Sequence, residues 1–251
     1  MIKIGLILGY GVGLGNKLNK KSELVVETPY GSSSSPINKE PVNNHELYVI
    51  KRHGTDGCIP SYMVNFKANL YALYELGCTH VLSTSICGSL QEEICTGEFV
   101  IFDQFIDLST HKELSYIDKV DLNKLNHSAF NKPFSDEIRN GLIQAAVING
   151  YTVHTKGTVV AVDGPRQSTR AESNLYRSWG ADVVNTTTVP EAILAHELNM
   201  QYGAVSLCTY FDTWRTDIQP ATRGEKDQVL ELNKDKFLKM IEHSIDNFEL
   251  D

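Results

Sequence analysis

Short apolar runs of strand character alternate with amphipathic stretches at helical spacing through most of this chain, and that alternation narrows the choice of fold more than any other feature. The runs Lys3 to Leu8, Leu47 to Lys51, His80 to Ser85, Phe99 to Ile106, Thr152 to Val162, Asp182 to Asn185 and Tyr202 to Cys208 predict strands. Between them, Val64 to Leu76 carries apolar residues at helical spacing and stops at Gly77, a residue suited to the left-handed turn that ends a helix. Ser135 before Asp136 and Glu137 places a capping hydroxyl and favourable negative charge at the start of a helix that ends before Gly150. Pro190 and Glu191 open another, and a last helix is expected from about Glu225 to about Phe248. Strand and helix in alternation predict an α/β fold, a mixed and largely parallel sheet flanked by helices. The polar segment Gly31 to Asn44, with its run Ser32 to Ser35, reads as a loop between early strands, because too little chain precedes it for a domain linker. With 251 residues and no internal repeat, residues 1–251 are expected to form one domain.

Charge and cysteine content remove whole classes of function. Acidic residues outnumber basic ones 31 to 23, a net charge of -8, and the Lys and Arg residues are scattered. Nucleic acid and anionic membrane surfaces both select for a basic patch, so neither is expected as a partner. The apolar run Ile4 to Leu8 is far shorter than the ~20 residues of a membrane helix. Glycines at 5, 9, 11, 13 and 15 would break the helical part of a signal peptide, so a first strand running into a glycine-rich turn fits Met1 to Leu14 better. Five cysteines, 58, 78, 87, 95 and 208, are odd in number and show no CxxC spacing, which signals neither a disulfide framework nor a zinc site. Reduced thiols and a cytoplasmic location are the expectation, and the sequons at Asn126 and Asn185 are then chance matches.

Ligands of such sheets bind beyond the carboxyl ends of the strands, and several segments there are chemically loaded. Gly9-Tyr10-Gly11-Val12-Gly13-Leu14-Gly15 is flexible enough to turn backbone N–H groups toward an anion, although it is neither a Walker loop nor a good GxGxxG fingerprint, and a plain tight turn would look the same. Arg52-His53-Gly54 sets a cation beside an imidazole, suited to an oxyanion and equally to a solvated strand end. Ser83-Thr84-Ser85-Ile86-Cys87-Gly88-Ser89 offers hydroxyls that would hold a phosphate or simply cap the strand. Asn185 to Glu191 and Thr209 to Trp214 complete the set.

Taken together these residues resemble the purine nucleoside phosphorylase superfamily, in particular the 5'-methylthioadenosine phosphorylases. The resemblance rests on RHG at 52–54, PSYMVNFKANLYAL at 60–73, GCTHVLSTSICGSL at 77–90, GEFVIFDQFIDLST at 97–110, KGTVVAVDGPRQSTRAES at 156–173 and WGADVVNTTTVPEAILA at 179–195, in order over most of the chain. It implies a nucleoside-phosphorylase-like fold and a reaction in which phosphate attacks the anomeric carbon of a purine nucleoside, releasing purine and a pentose 1-phosphate. It implies phosphate as co-substrate, no metal or organic cofactor, and a homotrimer whose sites lie at subunit interfaces.

Residue by residue, the resemblance implies a phosphate site from Arg52, His53, Ser85, the Ile86 backbone and Thr187, with Tyr10 where the family has a loop threonine. It implies a nucleoside site with Gln167 in place of an aromatic ring, Thr186 in place of a methionine, and Tyr210 in place of the first of two aspartates, while Asp212 keeps the second. Asp212 is therefore the expected acid beside purine N7, unless it merely caps a loop. His127 matches a residue that a neighbouring subunit contributes near the 5' substituent; Val229 and Leu230 match apolar positions that pack on the methylthio group. Lys226 falls where an apolar residue is expected, and either draws a polar or anionic 5' group or belongs to a solvated helix face.

Three functions remain open on this reading. One is purine nucleoside phosphorolysis with specificity altered at Gln167, Thr186, Tyr210 and Lys226. The second keeps the leaving-group chemistry but replaces phosphate with water or another nucleophile, as a nucleoside or nucleotide hydrolase or a transferase of specialised metabolism. The third is a non-catalytic nucleoside-binding relative.

Overall fold

The computed structural model describes residues 1–12, 23–117 and 129–245. In chain order the elements are β1 (Lys3–Leu8), β2 (Glu23–Leu24), β3 (Ile37–Val42), β4 (His45–Lys51), α1 (Phe66–Glu75), β5 (His80–Ser89), β6 (Phe99–Ile101), β7 (Gln104–Asp107), α2 (Asp136–Ile148), β8 (Val153–His154), β9 (Thr158–Ala161), α3 (Arg170–Ser178), β10 (Val183–Asn185), α4 (Thr188–Glu197), β11 (Gln201–Phe211) and α5 (Arg223–Ile245).

The strands join one sheet with the order β2-β3-β4-β1-β5-β10-β9-β7, and β11 branches from β5 to reach β6 and β8. β5 is the hub. Along one edge it runs parallel to β11 for nearly its whole length. Along the other it pairs in parallel with β1 as far as Ser83, then antiparallel with β10 from Gly88. Between those two positions no described strand lies beside it on that edge, so its backbone and side chains are open to other partners there. This is where the strand order diverges, the usual place for a ligand crevice in an open α/β sheet.

Strand residues alternate between two helical layers, as the two-residue period requires. Ile7, Val81 and Ala204 pack with Leu70 and Leu73 of α1 and Leu194 and Ala195 of α4. Leu6, Leu82, Val205 and Leu207 pack on the opposite face with Leu142 and Ala145 of α2 and Phe237, Met240 and Ile241 of α5. Each such Leu, Ile, Val, Phe or Met side chain contributes about 1.5–3 kcal/mol on burial. Among the described residues no helix is long and apolar enough to cross a membrane. All five cysteines are free.

Several sequence expectations change in detail. The stretch Gly31 to Asn44 is not all loop, because Ile37–Val42 forms β3, antiparallel to β4 through a tight Asn43-Asn44 turn with Asn43 at φ 50. Its polar residues hid the strand, and Pro41 is tolerated where only β4 pairs with it. Phe99 to Ile106 splits into β6 and β7, which pair with different neighbours, β11 and β9. Thr152 to Val162 splits at Gly157, where an added Cβ would lie 2.4 Å from a Val100 methyl. Ser135 stands at the start of α2 but its side chain makes no capping bond. The helix expected from Pro190 begins at Thr188, and α3 was not foreseen although Thr169 and Glu172 form a reciprocal capping box at its start.

Candidate active site

Arg52, directly after β4, is 1% exposed and donates four hydrogen bonds to its surroundings. Its Nε and Nη2 donate to the two carboxylate oxygens of Glu191 at 2.6 and 3.0 Å, Nη2 also donates to Ser83 Oγ at 2.5 Å, and Nη1 donates to the Thr84 carbonyl at 2.8 Å. Glu191 Oε2 further accepts from Ser83 Oγ and from the Tyr202 hydroxyl, at 2.7 and 2.8 Å. Burial works against the Arg52 charge, but the Glu191 carboxylate outweighs it and holds the guanidinium above its ordinary pKa. One N–H of Nη1 remains, and Nη1 lies 3.0 Å from where a Cβ on Gly9 would stand. The turn after β1 therefore approaches β5 and Arg52 too closely for any side chain at Gly9, whose N–H donates to Thr84 Oγ1 at 2.9 Å.

The other expected anion ligands surround the same strand ends, each with a protein partner of its own. His53 is held through Nδ1 by the Ile59 carbonyl at 2.8 Å. Burial first, and the Arg52 charge second, push its pKa below the ordinary histidine value, so Nδ1–H donates and Nε2 presents a lone pair. Ser85 Oγ donates to Ser206 Oγ at 3.0 Å across the β5–β11 pair. Asn185 ties the open edge of β5 to α4: its Nδ2 donates to the Ile86 carbonyl at 3.0 Å, and its Oδ1 accepts from the backbone N–H groups of Thr187 and Thr188 at 2.7 and 3.1 Å. The amide therefore already occupies the positive end of α4. Tyr10 sets its ring edge-on to His53, with centroids 6.5 Å apart, while its hydroxyl accepts from Arg223 Nη2 at 3.0 Å.

Next to this cluster a cavity of about 260 Å³ is lined by Ile86, Gln167, Ser168, Thr186, Tyr210 and Lys226, among others. Four of the residues singled out in the sequence for the nucleoside, Gln167, Thr186, Tyr210 and Lys226, thus meet around one space. Lys226 is half-buried, its Nζ 4.0 Å from the centroid of the Tyr210 ring, which excludes a fully solvated helix face. Loss of hydration lowers its pKa, and the Asp212 and Asp227 charges offset part of that. The Tyr210 ring fills the space over Gly88, where an added Cβ would lie 2.6 Å from two ring carbons. Burial keeps the Tyr210 phenol protonated well above its ordinary pKa.

Asp212 does not line the cavity but is buried two residues further on, 2% exposed, its backbone N–H donating to the Ser89 carbonyl at 2.9 Å. Neither carboxylate oxygen has a hydrogen-bond partner of proper geometry. Burial raises its pKa above 3.8, while the nearby hydroxyls of Ser168 and Ser173 and the Lys226 charge restrain the rise. A buried carboxyl with a raised pKa is suited to moving a proton.

Val229 and Leu230 do not line the cavity. They pack into the layer of α2 and α5, and Leu230 lies against the turn at Gly11, 2.4 Å from a notional Cβ there. His127 lies outside the described residues. Ser83 and Thr84 stood in the hydroxyl-rich stretch read from the sequence, but the sequence did not show that Thr84 receives the Gly9 amide or that Ser83, Glu191 and Tyr202 form the set that holds Arg52. It also missed Lys112, whose ammonium donates to the Thr186 carbonyl and which pairs with Asp163 at 3.6 Å. A buried Arg with a buried Glu 139 residues away leaves no local signal in the sequence. Among the described residues no group of three His, Cys, Asp or Glu is arranged to hold a metal ion.

A mixed sheet with a polar cluster at its switch point and a base-sized cavity beside it defines an α/β protein built around a small-molecule site. Comparison with known proteins identifies it further. Residues 3–246 match the family model of the phosphorylase superfamily. An S-methyl-5'-thioadenosine phosphorylase of Ciona intestinalis is 38% identical over 97% of this chain and 88% of its own length, and one of Aedes aegypti is 42% identical over 85% and 77%. The structure of a methylthioadenosine phosphorylase from Schistosoma mansoni in complex with adenine superimposes with a TM-score of 0.91 at 32% identity, covering 98% of this chain and 91% of that one. The chain belongs to the phosphorylase superfamily, in the family of the S-methyl-5'-thioadenosine phosphorylases.

Proposed function

We propose that this protein is a pentosyltransferase that cleaves a purine nucleoside with inorganic phosphate. A phosphate oxygen attacks the anomeric carbon, the bond from that carbon to the base nitrogen breaks, and its electron pair leaves with the purine. The products are free purine and a pentose 1-phosphate. Full-length similarity to enzymes named for this kind of substrate supports the reaction class. The observation that carries it to particular residues is Asp212, a buried carboxyl with a raised pKa beside a cavity of about 260 Å³. In this reading Asp212 supplies the proton or hydrogen bond that N7 needs as negative charge grows on the leaving base.

Phosphate would be held by the remaining Arg52 N–H, His53, the Ser85 hydroxyl, the Ile86 backbone and Thr187, with Tyr10 at the rim. His53, neutral and donating through Nδ1–H, would accept at Nε2 a hydrogen bond from a protonated oxygen of phosphate. Gln167, Thr186, Tyr210 and Lys226 would face the nucleoside, with Val229 and Leu230 supporting the loop after β1. We further propose one domain over residues 1–251, a cytoplasmic setting consistent with free thiols, and a homotrimer in which His127 of one subunit serves the next.

The polar occupation of the α4 N-terminus by Asn185 and the place of Tyr10 favour one competing reading, cleavage by water. Purine release measured with and without phosphate separates the two. Phosphorolysis requires that release stop when phosphate is removed; undiminished release would assign the protein to the hydrolases.

A further inference from the structure

We infer that Lys112 is a positioning residue of the nucleoside site: its ammonium ties the loop after β9 to the turn before α4, and so sets the gap between two walls that face the nucleoside. The inference rests on the nucleoside reading above and deepens it by naming what holds that pocket in shape.

Gln167 and Thr186 line the cavity of about 260 Å³ from different segments. The strands that lead to them, β9 and β10, pair in parallel up to Ala161 and Asn185, and the Val162 N–H donates to the Asn185 carbonyl at 3.0 Å. Beyond that bond one chain continues into Asp163 and the other into Thr186, and Lys112, in the segment after β7, reaches both. Its side chain is 2% exposed, and its ammonium donates to the Thr186 carbonyl and forms an ion pair with Asp163 Oδ1 at 3.6 Å. The other oxygen of that carboxylate accepts from the Thr110 N–H at 2.7 Å, the Thr110 hydroxyl at 2.9 Å and His111 Nδ1–H at 3.1 Å. Three consecutive residues, 110 to 112, thus hold Asp163. Burial opposes the Asp163 charge, but these donors and the Lys112 charge outweigh it and hold the carboxyl at a pKa of about 2.

A buried ion pair adds little to stability, because its desolvation cost offsets most of the attraction and apolar side chains of the same size often do as well. What this pair adds is orientation. A charge-assisted hydrogen bond fixes the peptide plane that carries the Thr186 side chain, whereas an apolar replacement would fill the space and leave that carbonyl free to turn. Lys112 does not line the 260 Å³ cavity, so it acts on the nucleoside through Thr186 and Asp163. Thr187, on the phosphate side, has a separate hold, since its backbone N–H donates to Asn185 Oδ1 at 2.7 Å. Loss of Lys112 should therefore loosen the nucleoside wall and spare the phosphate site. Away from Thr186, Lys112 borders a second cavity of about 540 Å³ with Tyr30, Phe66 and Lys67, which leaves room for a guanidinium in its place.

Steady-state kinetics of Lys112→Met and Lys112→Arg test the inference, on whichever of 5'-methylthioadenosine, adenosine and inosine the wild-type protein cleaves fastest. Lys112→Met should raise the KM for the nucleoside by about tenfold or more, while the KM for phosphate stays within about threefold of wild type. Lys112→Arg keeps the charge and the donors and should stay within about threefold on both. A purely structural residue would instead lower the melting temperature and the amount of active enzyme at unchanged KM values. Where Lys112→Met does not fold, the double variant Lys112→Met with Asp163→Asn removes the charge left behind and serves in its place. An unchanged nucleoside KM, equal rises in both KM values, a Lys112→Arg no better than Lys112→Met, or failure of both Met variants to fold would overturn the inference. Amide hydrogen exchange reads the clamp without catalysis: residues 163–168 and 185–188 should exchange faster in Lys112→Met than in wild type, and the remainder alike. That result in a protein that releases purine from no nucleoside would support the clamp while overturning the proposed reaction, and unchanged exchange in both segments would overturn the clamp.

Discussion

Asp212 is buried at a cost that its surroundings do not repay. Its folded pKa is raised, so the native state binds its proton more strongly than the unfolded chain does. The sign of the pH dependence follows: that proton's stabilising contribution is fully present below 3.8 and is lost as pH rises through the folded pKa. Above that range the native protein carries a buried charge whose lost hydration is only partly offset by the neighbouring hydroxyls. Asp212→Asn should therefore melt at a higher temperature than wild type near pH 8, with the difference shrinking toward pH 4 in a calorimetric pH series. The same substitution should lower kcat by about 10²–10⁴, the usual contribution of a positioned acid. A variant that turns over at the wild-type rate would remove Asp212 from the mechanism. Of this site, the sequence revealed the residue types but not their environment. Asp212, Tyr210 and Gln167 were recognisable in their motifs, whereas the absence of partners around Asp212 and Gln167 depends on packing between α3, β11 and α5 that no local pattern encodes.

At the scale of elements, Arg52 joins β4, β5 and α4 through Glu191, Ser83 and the Thr84 carbonyl. The family resemblance of the sequence gave this residue to the anion. Four of its hydrogen bonds instead go to protein groups, so its first duty is to fix the strand ends around the site. Arg52→Ala leaves the Glu191 carboxylate buried and unpaired, and should destabilise the fold by about 3–5 kcal/mol in denaturant titration. A folded variant of wild-type stability whose sole defect is a raised KM for phosphate would restore the simpler anion-binding account. The strands β1, β4, β5 and β11 were legible as short apolar runs because burial on two faces demands them. β3 was not, since Asn38, Lys39, Glu40 and Pro41 interrupt the apolar signal and pairing with β4 provides what the side chains do not. The start of α3 did carry a signal, Thr169 with Glu172, but only Ser173 and Tyr176 of that helix are buried, too few to show a helical stripe.

For the whole molecule, one sheet with helices on both faces brings segments near residues 9, 52, 84, 185 and 226 to a single end. Alternation in the sequence was enough to predict this class of fold, and the similarity of the entire chain to methylthioadenosine phosphorylases agrees with it. The proposed trimer is tested by light scattering, which should return three times the 28.0 kDa chain mass; a single-chain mass with full activity would contradict shared sites. The central claim is that phosphate, and not water, opens the glycosidic bond in a site whose α4 N-terminus is already occupied by Asn185. Its most direct measurement follows purine and sugar products from inosine and adenosine with and without inorganic phosphate. The account predicts purine and pentose 1-phosphate in equal amounts when phosphate is present, and no release when it is withheld. Purine released at the same rate without phosphate, together with free pentose, would contradict it.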